Sequence, residues 1–87
     1  MAEVMEPTWR QTADDTLDTR GLRCPEPLML LRNRMRTLTP GQRLYVVATD
    51  PASVRDFDQY SRFLRHPIER REEAGGEFRF LFCKGDR

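Results

Sequence analysis

One stretch of this chain, Gly21-Leu22-Arg23-Cys24-Pro25-Glu26-Pro27, carries residue types and spacing that could do chemistry. It sets a thiol between a glycine break and two prolines. If a helix begins at Pro25, Cys24 is its N-cap. A helix N-terminus offers partial positive charge and unpaired N–H groups. Both favour thiolate over thiol, and Arg23 and Arg20 would push the same way. Pro25 and Pro27 have no N–H, so Glu26 is the one donor among the first three helical positions, within reach of the cap sulfur. The prolines also stiffen the turn. The expectation is a presented, activated and isolated sulfur.

The isolation limits the chemistry. No second cysteine stands at Cys-x-x-Cys spacing, so dithiol exchange of the thioredoxin type is not expected. Cys24 and Cys83 are the two cysteines of the chain. They could form one disulfide, but they are too few for a disulfide framework or a tetrahedral zinc site. Cys83 has no special neighbours and reads as incidental. His66 reads as a helix-end residue rather than the oriented base that a Cys–His hydrolase needs. Glu26 has two readings, a general base or an acid in the first turn that complements the helix dipole.

The elements that must position the thiol follow from periodicity. Thr16 to Thr19 is a short strand, and Gly21 breaks it. From Pro25 to about Thr37 the chain reads as a helix with Leu28, Leu31, Met35 and Leu38 facing the core. Met29, Arg32 and Arg36 share a different face. Thr39-Pro40-Gly41 stops the helix. Arg43 to Thr49 is nearly continuous in apolar residues, as in a central, covered strand. Asp50 then caps, and Pro51 opens, a second helix running to about Arg65. Its inner face is expected to be Val54, Phe57, Ser61 and Leu64, with Phe63 outside. Ile68 to Glu73 reads as a polar edge strand, and Ala74-Gly75-Gly76-Glu77 as a hairpin turn. In the last strand Phe78, Phe80 and Phe82 alternate with Arg79, Leu81 and Cys83, so one face is aromatic and buried. The order βαβαββ predicts an α/β (α+β) two-layer sandwich, a four-stranded mixed sheet with both helices on one face and right-handed crossovers. Residues 1–13 show no periodicity and read as a flexible N-terminal arm bearing Trp9; residues 14–87 form the domain.

Composition sets the outer bounds. The chain has 87 residues, 38% of them hydrophobic and 33% charged, with net charge +1. That is one globular domain with a marginal core. The near-zero charge argues against strong direct nucleic-acid binding. Still, Arg20, Arg23, Arg32, Arg34 and Arg36 cluster against one acid, Glu26. Every basic residue but Lys84 is arginine, which fits either a genomic bias or recognition of carboxylate or phosphate. The longest apolar run is too short to span a bilayer. Glu3 and Glu6, without an apolar run, do not make a signal peptide. The expected compartment is the cytoplasm, where thiols stay reduced.

Leu17-Asp18, the stretch from Gly21 to Pro27, Pro40-Gly41, Asp50-Pro51-Ala52, Arg55-Asp56 and Lys84-Gly85 together resemble the TusA/SirA family of small sulfur carriers, with Cys-Pro-x-Pro as its hallmark. The resemblance covers about residues 14–86. It implies the two-layer fold and a persulfide on Cys24, supported by Arg23, Pro25, Glu26, Pro27 and Asp50. It implies a cysteine desulfurase or rhodanese-like donor and a downstream acceptor protein, feeding tRNA 2-thiolation, molybdenum cofactor synthesis or related sulfur trafficking. No cofactor or metal is implied beyond the transient persulfide. Such a carrier needs a docking face, for which Met29, Arg32, Arg36 and Phe63 are the candidates. A partly apolar outer sheet face through Leu81 leaves monomer or weak dimer open. The competing classes are a regulatory or redox-sensing binding module using Cys24 as sensor or helix cap, and an RNA-binding module acting through the arginines.

Overall fold

The computed structural model describes residues 6–86; the first five residues, Glu3 among them, and residue 87 lie outside the described residues. Four strands and two helices follow one another as β1 (Asp15–Thr19), α1 (Glu26–Met35), β2 (Arg43–Ala48), α2 (Ala52–Leu64), β3 (Ile68–Ala74) and β4 (Glu77–Cys83). The sheet order is β1-β2-β4-β3. β1 runs parallel to β2, whereas β2–β4 and β3–β4 are antiparallel. This is the expected four-stranded mixed sheet in βαβαββ order, with β3 on an edge.

Side-chain alternation decides what each face of the sheet does. Leu44, Val46 and Ala48 of β2 stand opposite Phe82, Phe80 and Phe78 of β4. With Leu17 they pack against Leu31 and Met35 of α1 and Phe57 and Tyr60 of α2. Both helices therefore lie on one face, over one core. The Phe57 ring meets Phe80 edge-on at 5.1 Å and Phe82 at 5.9 Å. Burying a side chain of that size contributes about 1.5–3 kcal/mol. The buried line of α2 differs from the expected one. Ser53, Phe57 and Tyr60 are buried, while Leu64 is exposed and Ser61 half-buried. The three buried residues stand at i, i+4 and i+7, one helical stripe. Tyr60 wins its place through ring contacts with Phe82 and His66.

The opposite face of the sheet carries a second, smaller cluster of Tyr45, Val47 and Leu81, with Trp9 and Ala13 packed on it. Thr8–Thr12 form a short 3-10 helix. Trp9 sits 5.7 Å from the Tyr45 ring, and the Arg10 guanidinium lies 5.4 Å over the same ring. This part of the arm, expected to be loose, is thus laid on the sheet. Arg79, buried on the same face, pairs with Glu72 and Glu77. The outer face is thus partly apolar, as Leu81 suggested, with a buried arginine paired to carboxylates beside the cluster.

Three glycines here have plain physical reasons. Gly75 and Gly76 join β3 to β4 with φ of 60° and 78°, the conformation that a two-residue hairpin turn requires. Gly85 is needed for space, because a Cβ there would overlap the Arg65 carbonyl oxygen. Around it the chain end clamps both helix C-termini. Lys84 Nζ donates to the Met35 carbonyl at 3.0 Å, and the Gly85 N–H donates to His66 Nδ1 at 2.9 Å. Arg65 adopts the left-handed cap conformation (φ 57°, ψ 42°), and the His66 N–H returns to the Ser61 carbonyl at 3.1 Å. That is a Schellman closure of α2.

Candidate functional site

The site lies where β1 and β2, running parallel, deliver their C-terminal loops to the same end of the sheet. Ligand sites in sheets of this kind favour that end. Gly21, at φ 80°, lets the chain turn sharply after β1. The loop is then tied to the β2–α2 connection. The Gly21 N–H donates to Thr49 Oγ1 at 2.8 Å, and the Cys24 N–H donates to Asp50 Oδ2 at 2.7 Å. The other oxygen of Asp50 accepts from the Ala52 N–H at 3.1 Å, so one carboxylate ties the first residue of α2 to the cysteine backbone, although the cap position itself falls to Pro51 rather than to Asp50 as expected. These bonds hold the Asp50 carboxyl below its usual pKa, the Cys24 N–H contributing most. Gly21, Leu22, Arg23, Thr49, Asp50 and Pro51 line a shallow groove beside the thiol.

Three expectations about the sulfur need correction. Cys24 is not the helix cap: α1 begins at Glu26, and Pro25 holds the cap position without a side-chain hydrogen bond. The Cys24–Pro25 peptide is cis. The Glu26 N–H does not serve the sulfur; it donates to the Arg23 carbonyl at 2.9 Å and closes the turn on itself. Nor is the thiol acidified. The Cys24 Sγ–H donates to Asp56 Oδ2 at 3.2 Å. That bond first, then desolvation and the charges of Asp56 and Asp50, push the thiol above its ordinary pKa against a lesser opposite pull from Arg55. Arg20, expected to assist, is engaged with Asp18 at 2.8 Å and Glu77 at 3.4 Å. Arg23 is exposed, and its charge bears on Asp50.

The remaining candidates divide. Cys24 and Glu26 are exposed, whereas Pro27 is buried, so it packs as well as stiffens. Met29 and Phe63 are 56% and 83% exposed, unusual for large apolar side chains. Met29, Arg32 and Arg36 line one shallow groove with Asn33 on α1. Phe63 stands apart from that groove, on α2. Cys83 is half-buried at the far end of the sheet. It pairs in register with Arg43 at the start of β2, while the thiol loop contacts the end of β2. Both cysteines are free. Asp56 was missed as a site residue. Its adjacency to the sulfur depends on how α2 is seated, and its only trace in the sequence is its place in the Arg55-Asp56 pair.

Among the described residues, no group of three or more His, Cys, Asp or Glu side chains could hold a metal ion. None of the described helices is long and apolar enough to cross a membrane. Chemically, the arrangement offers a single exposed sulfur on a pinned loop, bordered by two carboxylates and two arginines. The family model described as sulfurtransferase TusA matches residues 15–84, from the first residue of β1 to the lysine after β4.

Proposed function

The chain belongs to the TusA sulfurtransferase family, and from that premise we propose that it is a sulfur carrier whose Cys24 takes up sulfane sulfur as a persulfide and hands it to an acceptor protein. The observation that carries this reading is the exposed Cys24 sulfur on a loop fixed by Asp50, with the other cysteine at the far end of the sheet. A second thiol within reach would attack the persulfide and release its outer sulfur as sulfide. Distance protects the cargo.

The step balances without an outside oxidant. The Cys24 thiolate attacks the outer sulfur of a donor persulfide. A new S–S bond forms at Cys24 as the donor's S–S bond breaks, and the electron pair leaves with the donor sulfur as thiolate. The proton given up by Cys24 offsets the one that the donor thiolate takes up. The donor cysteine is reduced and Cys24 is oxidised by the same two electrons. Unloading is the same exchange with the acceptor as nucleophile.

In this reading a cysteine desulfurase or rhodanese-like protein loads Cys24 in the cytoplasm. The acceptor serves tRNA 2-thiolation, molybdenum cofactor synthesis or related sulfur trafficking, and the carrier uses no resident cofactor. Arg23, Pro25, Glu26, Pro27 and Asp50 shape the thiol loop. Met29, Arg32 and Arg36 form the docking face on α1, supported by the exposure of Met29 beside the two arginines, and the exposed Phe63 of α2 is a separate contact point. The carrier acts as a monomer or weak dimer, and the packing of Trp9 and Ala13 on the outer sheet cluster favours the monomer. The test is mass spectrometry of the protein after incubation with a cysteine desulfurase and cysteine. A gain of one sulfur atom, mapped to Cys24 and absent from Cys24→Ser, is expected. No gain, or a gain that survives the substitution, overturns the carrier reading in favour of a regulatory thiol.

A further inference from the structure

We infer that Asp56 is a specificity-determining residue of the carrier thiol: its carboxylate holds the Cys24 sulfur as a neutral, hydrogen-bonded thiol until a docked partner engages that carboxylate. This rests on Cys24 being the sulfur-bearing residue.

The contact is built rather than incidental. Both hydrogens that Cys24 can donate go to carboxylates six positions apart, its N–H to Asp50 and its Sγ–H to Asp56. Asp50 fixes the backbone, so the side chain reaches Asp56 from a defined place. Asp56 is itself held. Its side chain is 14% exposed, and it precedes Phe57, whose ring is wholly buried in the core. Arg55, the cation nearest to Asp56, stands 3.7 Å from its other oxygen and is 73% exposed, so it screens the carboxylate only weakly. The charged groups acting on the sulfur are Asp56 and Asp50 on one side and Arg55 on the other. The acids prevail, and the thiol is held above its ordinary value.

The consequence concerns selectivity. An exposed thiolate reacts with any electrophile or oxidant that reaches it. A neutral thiol does not, and a carrier with a free thiolate would be loaded and spent indiscriminately. A partner that brings a cation or hydrogen-bond donor to Asp56 removes both the bond and the charge at once. The thiolate then forms only where a donor or acceptor is already in place.

The experiment compares wild type with Asp56→Asn and Asp56→Glu. Alkylation of Cys24 by iodoacetamide is followed across a pH series spanning the ordinary thiol range. One negative charge at hydrogen-bond distance in a solvated site corresponds to about a fivefold change in thiolate population. Asp56→Asn is therefore expected to alkylate about fivefold faster at neutral pH, converging with wild type at high pH. Asp56→Glu, which keeps the charge, should stay close to wild type. Loading from glutathione persulfide should rise with alkylation in Asp56→Asn, while loading from a cysteine desulfurase does not, so the preference for the protein donor falls about fivefold. Superimposable alkylation profiles, or slower alkylation in Asp56→Asn, overturn the inference. If wild type accepts sulfur from neither donor, the carrier reading fails, and the alkylation profiles still decide whether Asp56 restrains the thiol.

Discussion

Replacing Gly85 with alanine should destabilise the domain while leaving the thiol untouched. The objection to a side chain here is spatial. A Cβ would overlap the Arg65 carbonyl oxygen and come within 3.3 Å of His66 Nδ1. The obstacle is backbone, locked in a left-handed cap whose next N–H returns to Ser61, so it cannot swing aside. Either the chain end lifts away or the cap does, and in both cases the 2.9 Å bond from the Gly85 N–H to His66 Nδ1 is lost. Overpacking costs about 1–3 kcal/mol. A buried acceptor left without a donor costs about 1–3 kcal/mol more. Even the low ends together give about 2 kcal/mol, and each kcal/mol lowers Tm by roughly 4–8 °C in a domain of this size. The assay is thermal unfolding followed by circular dichroism, with sulfur loading of Cys24 measured on the folded protein. A Tm lowered by roughly 10 °C or more with normal loading is expected. A Tm within a few degrees of wild type would refute the argument that this glycine is there to permit close packing.

Other outcomes follow from the same geometry. Ser53 Oγ is buried without a hydrogen-bond partner among the described residues, so Ser53→Ala should stabilise the protein by about 1 kcal/mol, read as a higher denaturant midpoint at unchanged slope. Burial first, and the Lys84 charge second, hold His66 below the ordinary histidine pKa of 6.5. The unfolded chain therefore binds that proton more readily. The stability owed to neutral His66 is complete above pH 6.5 and is lost as pH falls through the lower folded value. Urea midpoints should trace that decline, and His66→Gln should flatten it. Met29→Ala and Phe63→Ala remove exposed apolar surface and should leave the unfolding free energy within about 0.5 kcal/mol of wild type, while slowing sulfur transfer from a protein donor more than from glutathione persulfide. Deletion of residues 1–13 uncovers Tyr45, Val47 and Leu81; sedimentation should then detect self-association absent from the full chain.

Sequence periodicity determined most of the architecture. A strand buried on both faces reads as a continuous apolar run, and Arg43 to Ala48 is one. The alternation of Phe78, Phe80 and Phe82 fixed which face of β4 meets the helices, because a strand has period two. Gly75-Gly76 fixed the hairpin, and Cys24 between Gly21 and the prolines marked the loop that the structure leaves exposed and pins to Asp50. Tertiary structure decided what local pattern could not. Whether Cys24 caps α1 depends on which residue first takes helical dihedrals, and the helix starts two residues after it. Trp9 meets Tyr45, and Gly85 meets Arg65, across long sequence separations that carry no local signal. The protonation of the thiol shows this most plainly. A local argument from the helix dipole and adjacent arginines pointed to thiolate. The seating of α2 instead brings Asp56 to the sulfur, and a carboxylate in hydrogen-bond contact outweighs a dipole whose terminus lies elsewhere.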